Sequence, residues 1–392
     1  MSGDNGTAKR RGRPRIVVVA SAVSAGLIVF VGAPVTGLAL SGTFGTAHGM
    51  PAAKAQITAA SWTSHSAVTK AALTAISKSA GSDPNYYAYA AAAGGDEIVE
   101  VNVAAASIVG TISADSTEGI AVSPDGSTAY VAETGQYYVI ADDLATNTEK
   151  QIEVGAYPED VAVSPSGNVV YATVTSGDTG PGGSDVVAVI DPATDTVTGH
   201  IRVGAAPRQV LFSPDGSTAY VTTETGIYEI STATSRVIRV IPEAIATNGP
   251  QGIAVSPDGS TLYVTNPDAG TVVAVNAATG KITGSVAGLA EPEAVAVTPD
   301  GSTLYVADMN SDSVSVLSAA TLKVTGTIAV GRLPMSVTVS PDGSQVWVGN
   351  GYSGSVSIIS TATNSVIATV GGGPGTSTLD AAITGIAFAP AP

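Results

Sequence analysis

Eight side chains in this sequence could do chemistry together: Glu118, Glu133, Glu159, Glu293 and Asp308, with Arg208, Gln251 and Asn350. Carboxylate and amide oxygens suit hard cations such as calcium or magnesium. Two carboxylates held side by side can also divide acid and base roles. A solvated acidic rim with Arg208 as local counter-charge uses the same residues and needs no ligand at all. Other chemistry has little to draw on. The chain has no cysteine, so it has no disulfide, thiolate zinc site or covalent c-type haem. Of its three histidines, His48 and His65 precede the repeats described next, and His200 falls in an outer strand. No Gly-x-Ser-x-Gly elbow, P-loop or histidine-rich metal motif occurs.

All eight residues sit at one of two fixed places in a repeat, best seen in residues 256–286, SPDGSTLYVTNPDAGTVVAVNAATGKITGSV. Pro-Asp-Gly after Ser suits a tight turn: proline presets φ, aspartate bonds its own backbone and glycine accepts a positive φ. The turn at 256–259 is therefore expected to join a strand at 253–255 to one at 261–265, rich in β-branched and aromatic residues. Further turns lead to strands at 271–276 and 281–286. Four short strands in an antiparallel meander have the size and order of one propeller blade.

The turn proline recurs as Pro124, Pro165, Pro214, Pro257, Pro299 and Pro341, at spacings of 41, 49, 43, 42 and 42. A period near 42 is a propeller signature, and the long interval contains 174–185, which reads as an inserted surface loop. Residues 385–390 match only the first strand of a unit, whereas 86–112 match only strands two to four. One blade is thus split between the termini, giving an all-β, seven-bladed propeller of four-stranded antiparallel blades. Pairing of the C-terminal strand with the N-terminal blade closes the ring.

Strand order sends the Ser-Pro-Asp-Gly turns to one face. The loops between strands two and three share the other face with the loops that cross between blades. Those crossing loops repeat Gly-x-x-Pro, from Gly155 to Pro158, Gly204 to Pro207 and Gly331 to Pro334, with one extra residue between Gly288 and Pro292. The next residue is expected to point at the channel mouth: Thr384, Glu118, Glu159, Arg208, Gln251, Glu293 and Met335 around the ring. The end of the second strand supplies Ala92, Glu133, Val174, Thr223, Asn266, Asp308 and Asn350. Both sets vary on a repeated frame, which is where an individual function can be written. A small residue suits the narrow axis, and Ala121, Ala162, Ala254, Ala296 and Ala387 supply it. Tyr130, Tyr171, Tyr220, Tyr263, Tyr305 and Trp347 are expected to pack between blades.

Tyr263-Val264-Thr265-Asn266, after Ser-Pro-Asp-Gly-Ser, resembles the YVTN-repeat β-propellers, with variants at 130–133, 220–223 and 305–308. The resemblance covers about residues 85–390 and implies the fold. It leaves the function open, because that family includes surface-layer proteins, lactonase-like enzymes, a streptogramin lyase and domains of redox enzymes. The lyase branch relies on histidine chemistry, which this mouth lacks.

Residues 1–15 carry five basic side chains against Asp4, and 16–40 run apolar without a charge. Residues 1–40 are thus expected to be a basic n-region and hydrophobic signal or membrane anchor, with the propeller held outside the membrane. Cleavage after Ser41 or Ala47 and a retained anchor are both compatible with this pattern. Residues 41–83 read as a low-complexity Ala/Ser/Thr linker and 84–392 as the propeller.

The chain carries −16 overall and its first 15 residues +4, leaving −20 on the remainder. So acidic a domain is not drawn to nucleic acid. The expected partners are a protein, glycan or envelope component, with the membrane engaged through the N-terminal segment if it is uncleaved. Two function classes remain: a non-catalytic extracellular or cell-surface binding or scaffold propeller with no cofactor, and a lactonase-like hydrolase holding a divalent cation at the rim carboxylates.

Overall fold

A computed structural model describes residues 21–22, 27–28, 86–93, 97–113, 116–176, 185–242, 249–371 and 382–390. The signal or anchor and linker segments expected over 1–83 lie outside the described residues, apart from a two-residue antiparallel pairing of Ser21–Ala22 with Leu27–Ile28. Among the described residues no helix is long and apolar enough to cross a membrane.

The β-branched and aromatic runs form the strands that their alternation implies. The type blade consists of Ile253–Val255, Thr261–Asn266, Thr271–Asn276 and Lys281–Ala287, antiparallel throughout. Seven such four-stranded sheets occur, each ordered from first to fourth strand. Their first strands meet one another in a closed cycle around the axis. The split blade forms as its sequence implies: Ala382–Pro390 pairs with Tyr86–Ala93, from Tyr86 opposite Pro390 to Ala93 opposite Ala382.

Seven apolar cores lie at the seven blade boundaries, each drawing on two adjacent sheets. Tyr130, Tyr171, Tyr220, Tyr263, Tyr305 and Trp347 are all buried within them. Tyr171 lies against Phe212 of the next blade with ring centroids 5.0 Å apart. Trp347 meets Phe388 edge-on at 5.7 Å, joining the seventh blade to the split first one. Burying a large apolar side chain contributes about 1.5–3 kcal/mol, so each boundary holds its blades by burial. The tyrosine hydroxyl adds a directional bond: Tyr305 donates to Asn364 Oδ1 of the next blade at 2.7 Å.

The Ser-Pro-Asp-Gly turns are built as their chemistry requires. Asp258 Oδ1 accepts from Ser256 Oγ at 2.5 Å and from Ser260 N at 3.0 Å, and these bonds push its carboxyl down to about 2. Gly301 sits at φ +72°, where a Cβ would lie 3.4 Å from Pro257 Cδ of the preceding blade. Proline and glycine of successive turns therefore stack around this face.

Candidate functional site at the channel mouth

Five of the seven mouth residues sit at a backbone irregularity. In the third blade the ladder runs Tyr157 to Thr175 and Pro158 to Val174, then skips to Asp160 opposite Thr173. Glu159 is the extra residue of a β-bulge, a device that re-aims one side chain out of the pleat. Similar register shifts isolate Glu293 and Met335, place Glu118 between Thr117 and Ile120, and isolate Thr384 opposite Ala91 and Ala92. Arg208 and Gln251 lie just before the regular first strands of blades four and five. Their N–H groups still bond to Thr222 O and Thr265 O, at 2.8 and 3.1 Å.

In blades three, four and five the threonine of the repeat bonds the backbone of the next blade's mouth residue. Thr265 Oγ1 accepts from Gly252 N at 2.7 Å and donates to Glu293 O at 3.0 Å. Thr222 makes the same link to Gln251 O at 3.0 Å, and Thr173 to Arg208 O at 2.7 Å. Thr384 reaches Glu118 O at 2.8 Å. In these four blades one side chain thus positions the backbone of the next mouth residue, whereas blades two, six and seven carry Ala132, Ala307 and Gly349 at the threonine position.

Five of the eight sequence-derived residues, Glu118, Glu159, Arg208, Gln251 and Glu293, interact in ring order, and all are half-buried. Burial pushes the Glu118 carboxyl up to about 7, helped by the charge of Glu159. Burial also raises Glu159 and Glu293, and in both the Arg208 guanidinium opposes it. Arg208 Nη1 donates to Gln251 Oε1, and the Gln251 amide bonds Glu293 in turn. Arg208 is thereby committed to one side of the ring, and among the described residues neither Glu118 nor Glu159 accepts a hydrogen bond from the protein.

The other three lie deeper. Glu133 is 1% exposed, Asp308 2% and Asn350 0%. Asn350 Nδ2 is spent on Ser355 O, Ser355 Oγ and Ser357 Oγ at 3.1, 3.1 and 2.9 Å. Asp308 Oδ2 accepts from Ser315 Oγ, and burial pushes its carboxyl up to about 6. The end of the second strand packs beneath the loop that follows it, so these side chains brace the loop face from within. Among the described residues no group of three or more His, Asp or Glu is placed to hold a metal ion. His200 is exposed on its outer strand.

Two features escaped the sequence reading. The residue after each mouth position forms a second ring down the axis. Asp160 Oδ2 accepts from Val210 N at 2.9 Å and Gln209 Oε1 from Ile253 N at 2.7 Å, each bonding the next blade. Burial pushes the Asp160 carboxyl up to about 7, against the pull of the Val210 N–H. Gly119 makes room for it, since a Cβ there would fall 2.4 Å from Asp160 Oδ1. Reading one position further along the repeat would have shown this set: Gly119, Asp160, Gln209, Gly252, Ala294, Ser336 and Gly385. The second feature is an exposed aromatic pair, Tyr137 and Tyr157, which comes from a loop of one blade and the start of the next blade's first strand, with no shared sequence signal.

The family model "Lactonase, 7-bladed beta-propeller" matches residues 284–369, well under half of the chain. No curated protein matches. Among solved structures the chain is similar to Kuenenia stuttgartiensis hydrazine synthase, at 24% identity and a TM-score of 0.62, over 68% of this chain and 90% of that one. It is also similar to a functionally unknown protein of Desulfotomaculum acetoxidans, at 14% identity and a TM-score of 0.65, over 78% of this chain and 99% of that one. At these identities the likeness is one of fold.

Proposed function

We propose that the chain is an exported, non-catalytic binding propeller of the YVTN-repeat kind, which takes a protein, glycan or other envelope component at its channel mouth. It works at the cell surface or outside the cell, secreted or held by its N-terminal segment. The observation that carries this reading is the set of five half-buried polar side chains, three glutamates, an arginine and a glutamine, presented at one repeated position of the mouth. A frame that repeats while its presented residues change supports selective recognition at that ring. The basic and apolar leader sequence supports export, and the −20 charge of the remainder favours solubility there.

The test is a thermal-shift titration of the full-length protein with soluble envelope glycans, lactones and divalent cations. A ligand bound only by the folded state raises stability by RT ln(1 + [L]/Kd). A saturating shift that disappears in Glu159→Gln or Glu293→Gln supports the reading. A saturating shift retained in both variants overturns the mouth as the site.

The partial match to the lactonase family model favours one second reading, a lactone hydrolase at the same mouth. Glu118 and Glu159, on adjacent blades with the charge of Glu159 adding to the raised proton affinity of Glu118, are its best acid and base candidates. Lactone turnover that depends on a divalent cation and is lost in Glu118→Gln would establish it. Absence of turnover across a lactone panel at several cation concentrations would remove it.

A further inference from the structure

The outermost strand of each blade offers a second repeated position that can be compared around the ring. The residue that leads into it stands opposite the end of the third strand: Ser107, Thr148, Thr196, Arg236, Lys281, Lys323 and Ser365. Four of these are small and hydroxylic, and the three basic ones fall on consecutive blades, four to six. Arg236, Lys281 and Lys323 are exposed, and among the described residues none has an ion pair or a side-chain hydrogen bond. Nor do the turns and outer strands of these blades, residues 231–242, 276–287 and 318–329, contain a carboxylate. Blades two and three differ, with Asp143, Glu149, Glu153, Asp191 and Asp195 in the same segments. A chain with net charge −16 thus gathers unpaired positive charge on one arc of its rim.

The same arc exposes aliphatic side chains. Ile238 is 58% exposed, Ile282 46% and Val324 46%. Ile238 occupies a bulge that neighbouring blades give to threonine, since the ladder of blade four skips it between Val237 and Arg239. Thr198, Thr283 and Thr325 hold the equivalent place in blades three, five and six. Their hydroxyls donate to Val189 O, Ala274 O and Val316 O at 3.2, 3.2 and 3.1 Å. Isoleucine forgoes that bond and exposes a branched apolar side chain, which the fold does not require.

We propose that the outer strands of blades four to six are a docking surface for a bilayer that carries anionic headgroups. Basic side chains meet such a surface electrostatically, and the aliphatic side chains between them reach the boundary of the acyl region. A purely ionic polymer would leave the aliphatic side chains unused. The bulges blunt these edges against an added strand, so the partner is read by side chains and not by backbone pairing. Three consecutive blades of a closed ring form one convex arc, so a flat surface meets Lys281 and Ile282 first, with Arg236 and Lys323 reaching in from either side. The ring then stands on its rim. Its turn face is kept off the like-charged headgroups, and there the carboxyls of Asp215, Asp258 and Asp300 are held low by hydroxyl bonds from Ser213, Ser256 and Thr298. The channel mouth stays open to the side, and docking at the rim does not depend on what the mouth binds.

The chain has no cysteine, so one introduced thiol can carry a polarity-sensitive fluorophore at a chosen place. The test labels the full-length protein at Ser285→Cys, on the outer strand of blade five, or at Thr111→Cys, the equivalent exposed place on blade one. Each is mixed with phosphatidylcholine vesicles with and without phosphatidylglycerol. Docking of the arc predicts a blue shift, and quenching by spin-labelled lipid, for the label at 285 in anionic vesicles alone, weakening as salt is raised. The label at 111 reports approach by another part of the chain and should stay unshifted. Combined Arg236→Glu, Lys281→Glu and Lys323→Glu should abolish the shift at an unchanged melting temperature, because none of the three has a partner in the fold. Ile238→Thr, which gives blade four the residue of its neighbours, should reduce it. An equal shift with phosphatidylcholine alone, an equal shift at both labels, a shift that survives the triple reversal, or no shift at all overturns the proposal. No shift with vesicles, together with binding of polyglutamate that the triple reversal removes, would assign the arc to an acidic macromolecule instead.

Discussion

Glu118 shows how a residue at the mouth is both a burden and a means of recognition. Its carboxyl titrates near 7 in the folded chain, against an ordinary value of 4.5. Between those values the folded protein keeps a proton that the unfolded chain has lost. Stability therefore falls as pH rises through that window, and the full cost of the buried charge persists above about pH 7. Glu118→Gln should flatten the decline in melting temperature from about pH 4.5 to 7 and raise it by a few degrees at pH 8. Thermal melts of both proteins across that range check this, and parallel curves would contradict it. Tyr305 tests a contact of the opposite kind. Tyr305→Phe should cost about 1 kcal/mol by removing the bond to Asn364, and the same change made in an Asn364→Ala background should cost little further. Full additivity in denaturant melts would show that the pair does not bind across the boundary.

At the scale of the element, the turn and the bulge divide the labour. The Pro-Asp-Gly turn has few allowed alternatives, and Gly301→Ala should cost about 1 kcal/mol or more, because a Cβ at φ +72° is strained and meets Pro257 at 3.4 Å. A denaturant midpoint equal to that of the parent would contradict this account of the face. The bulge is less visible in sequence. Gly-x-x-Pro marked where the chain enters the first strand, and the next residue could be singled out as presented, but no residue type announces the extra ladder position. The turn chemistry, strand alternation and period made the blade, the count of seven and the split legible. They could not separate the half-buried Glu159 from the fully buried Asp308, since both are acidic residues at the ends of strands on the same face. Their difference is set by the bulge at one strand and by packing beneath a loop at the other. Thr265 was legible as a strand former, but its bond to Glu293 of the next blade depends on the ring being closed.

For the molecule as a whole, closure replaces the disulfides that the chain lacks. Residues Ala382–Pro390 complete the first blade, and Phe388 meets Trp347 across the boundary to the seventh. Deleting 382–392 opens two neighbouring cores at once and should lower the melting temperature by about 10 °C or more; a deletion variant that melts with the parent would contradict the split-blade closure. A closed ring also gives the protein two unlike faces. One repeats Ser-Pro-Asp-Gly turns whose carboxylates are occupied by their own loops. The other carries Glu118, Glu159, Arg208, Gln251 and Glu293, three glutamates with an arginine and a glutamine between them. The most direct measurement is co-sedimentation of the full-length protein with isolated cell envelope, comparing Glu159→Gln and Glu293→Gln at the mouth with Asp215→Ser on the turn face. The third blade already carries Ser166 at the position equivalent to Asp215. Recognition at the mouth predicts that both glutamate variants lose binding while Asp215→Ser retains it. Binding retained by the glutamate variants and lost by Asp215→Ser would place recognition on the opposite face and contradict the account.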